Sequence, residues 1–217
     1  MGHTRTRLVG LLVAVWIVVP VLLAVLRWPD YWEWIAPERT PMTWAQSVAL
    51  MLAGAGCLLT ALVAGRAGER AGIWPLLGVG LLALGTDERF AFHESLGDDL
   101  FGSDGDTVPF LPWVAPGDFL LFVLAAIGLL LLVWVWWAVR ADGAATVALA
   151  VGVVLSAGAV GMELIDSSTW STAADRVHGS VQEVVELAGG LALLAMVALR
   201  LLGMLDAHLP GAEEEGE

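Results

Sequence analysis

Thr86-Asp87-Glu88-Arg89-Phe90-Ala91-Phe92-His93-Glu94 decides how the rest of the chain is read. It sets three carboxylates, an arginine and an imidazole directly after the apolar run 73–85. That run is too short to cross a bilayer, because a span needs about 20 residues for a hydrocarbon core of roughly 30 Å. A spanning helix must therefore continue through the charged segment. An ionisable group at mid-depth costs roughly 2.5–3.5 kcal/mol on insertion scales, and residues that carry such a cost in a membrane are functional by default.

The composition supports a membrane setting. Of 217 residues, 58% are hydrophobic, and the mean hydropathy is +0.78, more apolar surface than a soluble core of this size needs. Ten basic residues, all arginine, face twenty-three acidic ones for a net charge of -13. With no basic stripe to neutralise phosphates, nucleic acid is excluded as a partner. The single Cys57 lies in an apolar run, so there is no disulfide framework and no thiol metal motif.

The runs predict an all-α integral membrane bundle of six spans, at about 8–26, 42–64, 73–96, 118–139, 144–166 and 180–205, within one domain over residues 1–209. Residues 210–217 form an acidic tail expected to be disordered. The first run follows a short basic stretch, as in a signal peptide, but its length and the lack of a small-residue cleavage site favour a retained span. Trp28, Tyr31, Trp32 and Trp34 make the segment after it interfacial. Trp134, Trp136, Trp137 and Arg140 anchor the end of the fourth span in the same way. In the fifth, Ala148, Gly152 and Ser156 recur four apart, as do Ala157 and Gly161, giving faces for close helix contact.

Counting loops alternately, Arg5, Arg7, Arg66, Arg70, Arg140 and Arg200 fall on one side, against Arg27, Arg39 and Arg176 on the other. The richer side is expected to be cytoplasmic, with both termini there, in a multi-pass protein of the cytoplasmic (bacterial inner) membrane. The outer ends of the third, fifth and sixth spans then hold Asp87 to Glu94, Glu163 with Asp166, and His178 with Gln182, Glu183 and Glu186. Continuous helices would put Glu88 and Glu186 on the order of 12 Å below the outer boundary. Seven residues apart, Asp87 and Glu94 would share one helix face, while Arg89 and His93 share another. Glu183 and Glu186, three apart, can reach a common point. Inward-facing carboxylates and histidines on several helices are how bundles build metal sites, and an oxygen-rich set with imidazole suits Zn, Fe or Mn. Asp104-Gly105-Asp106 lacks the remaining ligand positions of a calcium loop and reads as a solvated turn.

The Asp87-Glu88-x4-His93-Glu94 run resembles a helix found in a group of uncharacterised bacterial integral membrane proteins. In those, an acidic residue of a later helix and a Glu-rich final helix follow, matched here by Glu163 and by Glu183 and Glu186. That resemblance covers the second half of the chain and implies no established activity. A more distant similarity is to the alkaline-ceramidase-like superfamily of membrane hydrolases, whose zinc is held by histidines near Ser and Asp. Of its paired late histidines this chain offers only His178.

The function expected from these residues is an outward-facing intramembrane metal site. Glu88, His93, Glu163, His178, Glu183 and Glu186 are its candidate ligands, and Asp87 and Glu94 its candidate proton-shuttling carboxylates. It would serve hydrolysis or oxidation of a lipid-like substrate. Two alternatives stand beside it. One is a cation- or proton-coupled transporter, weakened by the apolar inner halves of the spans; the other is a scaffold in which the cluster only fixes helix packing.

Overall fold

The computed structural model describes residues 2–69, 71–101, 116–163, 165, 167 and 169–208. Among them the chain is all-α: α1 (Gly2–Leu26), a 3-10 turn (Tyr31–Trp34), α2 (Pro41–Arg66), α3 (Ile73–Phe90), α4 (Phe92–Phe101), α5 (Pro116–Val139), α6 (Gly143–Glu163) and α7 (Thr172–His208). Five of these, α1, α2, α5, α6 and α7, are long and apolar enough to cross a membrane. Their outward faces are rich in apolar side chains, with Leu129 67% and Leu130 70% exposed on α5. Contiguous apolar surface of this kind belongs against lipid.

α2 and α7 form the centre. α3 packs on α2, α6 packs on α7, α1 lies along α7, and α5 joins α4, α3 and α6. One apolar cluster joins Ile35, Met42, Ala49, Leu187 and Leu191, and a second joins Ala53, Cys57, Trp74, Met196 and Leu199. Close approach of α2 and α3 depends on glycine. A Cβ on Gly54 would stand 2.9 Å from the Gly78 carbonyl oxygen, and one on Gly85 would stand 3.0 Å from that of Ser47. The Ser47 hydroxyl donates to the Gly85 carbonyl at 2.5 Å, so a polar bond reinforces the contact. On α6 the small-residue face at Ala148, Gly152 and Ser156 does pack, with Gly152 against Leu193 and Ser156 against Gly189. The face expected at Ala157 and Gly161 does not. Ala157 is exposed and Gly161 looks onto open space.

Polar contacts close both ends of the bundle. At one end Arg5 meets Asp142 through two hydrogen bonds, at 2.9 and 3.3 Å. Asp142 also accepts the Ala145 amide at 3.2 Å and so caps α6. Arg200 pairs with Glu69 at 2.6 Å. Arg140 stacks on Trp137, 3.7 Å from the ring centroid, consistent with an aromatic and basic anchor. At the other end the segment between α1 and α2 folds over the helix tops. Arg27 bonds to Glu33, Arg176 stacks on Trp32, and Ala36 lies against Gly179.

The third predicted span is not one helix. α3 ends at Phe90, and Ala91 adopts a left-handed conformation, with φ 50° and ψ 48°. The chain changes direction before α4 starts. An alanine there is unfavourable by roughly 1–2 kcal/mol, so surrounding contacts must hold it. At 18 residues, α3 is about 27 Å long. α7, by contrast, starts eight residues before the predicted sixth span and reaches 37 residues. Asp104, Asp106, Asp166 and the acidic tail 210–217 lie outside the described residues.

Candidate functional site

The acids of α3 and α7 meet. One carboxylate oxygen each from Glu88, Glu183 and Glu186 lie within 4.8 Å of one another. Glu183 is only 8% exposed, and the other two are half-buried. Spacing explains the α7 pair, since side chains three apart project from one helix face. Glu88 reaches them because α2 carries both neighbours. Gly54 of α2 with Gly78 and Gly85 of α3 lets those two helices approach closely, while the other side of α2 packs on α7.

Gln46 of α2 ties the set together and was not anticipated from the sequence. Its side chain is nearly inaccessible, at 2% exposure. Its amide nitrogen donates to the Glu183 backbone carbonyl and to Glu183 Oε2, both at 2.9 Å. A backbone carbonyl only accepts, so the nitrogen must be the atom facing it. The amide oxygen of Gln46 is left buried with no hydrogen-bond partner among the described residues. An orphaned buried acceptor costs roughly 1–3 kcal/mol unless a donor or cation reaches it. One amide in a helix of mostly apolar and small residues was the available signal.

The remaining predicted residues form a periphery. Glu163, exposed at the end of α6, accepts a hydrogen bond from Gln182, whose amide also reaches Glu186 Oε1 at 3.3 Å. Glu163 is thus joined to the carboxylate set through Gln182 and is not one of its three members. His178 stands at the edge of Trp170, ring centroids 5.1 Å apart, with a buried Nε2 that has no hydrogen-bond partner among the described residues. With Met162, Val177 and Val181 it lines an apolar groove between the end of α6 and the start of α7, apart from the three acids. Glu94 lies in α4, but its side chain is outside the described residues.

His93 and Asp87 correct the helix-face reading. On a continuous helix they would point apart. Because the chain turns at Ala91, Asp87 Oδ2 instead meets His93 Nδ1 at 2.8 Å, and its Oδ1 accepts the His93 amide at 2.8 Å. His93 Nε2 faces Glu38 Oε1 at 4.0 Å. Glu38, from the segment before α2, sits close enough to act electrostatically on both Glu88 and Glu186. Glu88 and Glu186 also differ in depth when counted from their helix ends. Glu88 is about 3 Å along the axis from the end of α3, whereas Glu186 is about 21 Å from the start of α7. The helices meet because the first turns of α7 rise past the end of α3.

Three carboxylates with oxygens within 4.8 Å of one another repel unless they share protons or a cation. The nearest guanidinium on α3, that of Arg89, is bonded to the Arg39 carbonyl at 3.4 Å and makes no ion pair among the described residues. Glu88, Glu183 and Glu186 can therefore hold a hard cation through oxygen.

No curated protein and no solved structure matches the chain. The distant likeness to ceramidase-like hydrolases gains no support from the comparisons. The model of one family, described as a domain of unknown function (DUF8692), matches residues 8–201, which include every residue of the carboxylate set. The chain belongs to that family.

Proposed function

We propose that the protein is a multi-pass protein of the cytoplasmic membrane that holds a divalent cation at Glu88, Glu183 and Glu186 and uses it in hydrolysis of a lipid-like substrate. The observation that carries this reading is the 4.8 Å convergence of three carboxylates at the α2–α3–α7 junction. α3 would be the sixth span, with its charged end at the membrane boundary and both termini on the cytoplasmic side.

An all-oxygen set favours Mn or Fe over Zn, which prefers nitrogen and sulfur donors in closed tetrahedra. A cation here would supply Lewis acidity and a bound water acidified toward neutral pH. His93, expected from sequence as a ligand, is better suited to moving the proton. Asp87 on Nδ1 fixes the tautomer and leaves Nε2 as the basic atom, the arrangement in which a carboxylate orients a general base. Asp87 is then a positioning residue, not the shuttle. An oxidase would use the same ligands, but nothing in the set favours it.

Transport is less well supported. Beyond Gln46 the interior passes to Ala49, Ala53, Cys57, Leu191 and Met196, and toward the remote end the buried polar groups among the described residues are Thr60 and Asp142, the latter paired with Arg5. Elemental analysis of the purified protein tests the proposal. Near-stoichiometric Mn or Fe in the wild type, lost in Glu88→Gln and Glu186→Gln, is the expected result. Wild-type protein without metal after supplementation with both ions overturns it.

A further inference from the structure

The chain has no asparagine and two glutamines, so Gln46 and Gln182 are its only side-chain amides. Both stand on the carboxylate set. Gln182 donates to Glu163 and Glu186, and Gln46 donates to Glu183. Gln182 is partly exposed, whereas Gln46 is 2% exposed. The Gln46 Oε1 has no partner among the described residues, and solvent does not reach it. Turning the amide over gives no relief, because its oxygen would then face the Glu183 carbonyl, acceptor against acceptor. Nor is this oxygen remote from the acids. Bond lengths of about 1.23 and 1.33 Å put the oxygen and nitrogen of one carboxamide about 2.2 Å apart. With Nε2 at 2.9 Å from Glu183 Oε2, Oε1 lies at most about 5 Å from that carboxylate oxygen. That bound is close to the 4.8 Å within which the three carboxylate oxygens lie.

A hard cation takes carboxylate and amide carbonyl oxygens alike. A fourth acid at this place would add to the repulsion among the other three, whereas a neutral carbonyl adds a donor without it. The two hydrogen bonds from Nε2 already fix the amide, so little rotamer freedom is lost when an ion arrives. Carboxylate and carbonyl oxygens suit Mn, while Fe sites draw on imidazole, so this oxygen moves the choice of metal toward Mn. We propose that Gln46 Oε1 is the fourth ligand of a Mn2+ ion held by Glu88, Glu183 and Glu186. This inference rests on the cation reading above. It gives the one amide two tasks, with Nε2 holding Glu183 in place and Oε1 completing the oxygen set.

The test is electron–nuclear double resonance on the full-length protein in detergent, loaded with Mn2+ and isotope-labelled at the glutamine side-chain carbonyl carbon. The label marks Gln46 and Gln182 alone, and Gln182→Met, at a partly exposed position, removes the second. Dipolar coupling falls with the cube of distance, so a carbon directly behind a ligating oxygen is told from one further out. A strong coupling in the wild type that persists in Gln182→Met is the expected result. Were Gln46 only a hydrogen-bond donor, it would hold Glu183 equally well and show no such coupling. Bound Mn2+ without a strong coupling, or with one that vanishes in Mn2+-loaded Gln182→Met, overturns the inference and leaves the cation reading standing. A wild type that takes up no Mn2+ overturns the inference as well, and the cation reading falls with it if Fe2+ is not taken up either.

Discussion

Asp87 and His93 lie on opposite sides of the helix break at Ala91 and are joined twice. Both Asp87 oxygens are engaged at 2.8 Å, one by the His93 amide and one by its ring. The carboxylate therefore caps the start of α4 while it orients the imidazole. It is also the contact best placed to hold Ala91 in its left-handed conformation.

His93→Ala is expected to lower stability by about 1.5–3 kcal/mol, the range for a hydrogen bond to a charged group. Amide exchange over Phe92–Phe101 should accelerate while α2 stays protected. Asp87→Ala, which removes both bonds, should accelerate it further. Hydrogen–deuterium exchange read by mass spectrometry checks this; unchanged exchange in α4 would mean that the pair does not hold the break.

Gln46 is the second joint of the site. Gln46→Leu keeps the volume roughly constant and removes the donor shared by the Glu183 carbonyl and carboxylate. A loss of about 1–3 kcal/mol is expected, because Glu183 is left buried without that partner. Metal content should fall as well, since Glu183 would no longer be held toward Glu88 and Glu186. Thermal denaturation and elemental analysis of the same preparation read both effects.

The all-α architecture and its five membrane-length helices were legible from run length, because a bilayer demands long apolar helices and these are hard to disguise in a sequence. The nearness of Glu88 to Glu183 and Glu186 was expected from the arrangement of spans, but in a set with His93, Glu163 and His178, which stand outside the group of three. What could not be read was the break at Ala91. Alanine is the best helix former, and no glycine or proline marks the position, so periodicity carried the helix through to residue 96. That one residue moved His93 onto Asp87 and reset the depth of Glu88. Gln46 escaped notice because a single amide among Ala and Gly has no pattern to belong to. His178 was drawn into the expected ligand set by its spacing from Gln182 and Glu186, but spacing along one helix does not tell how far a stripe continues before its side chains turn to Trp170.

The α2–α3 contact sets the distance from Glu88 to α7. Gly54→Leu would drive a side chain into Leu82 and the Gly78 carbonyl. Overpacking of this kind typically costs about 1–3 kcal/mol. Here it should also move α3 outward and abolish metal retention. Gly80→Ala is the matched control, because a Cβ at Gly80 meets nothing within 4 Å; it should be neutral or slightly stabilising through helix propensity. Equal metal content in both variants would show that the spacing of the helices does not govern the site.

Charge balance gives the last prediction, and its sign depends on the cation. With chelator present, Glu88, Glu183 and Glu186 face one another without a counter-charge, so Glu88→Gln relieves repulsion and should raise the apparent Tm above that of the wild type. With Mn2+ in excess the order should reverse. The wild type gains binding free energy that the variant cannot, about 2.7 kcal/mol at a hundredfold excess over Kd. Glu69→Gln provides the contrast, because that acid lies at the remote end on Arg200 and its effect should not depend on the ion. Paired melts in chelator and in Mn2+ decide the matter. A wild-type Tm indifferent to both conditions would mean that the three carboxylates settle their repulsion by sharing protons and hold no cation.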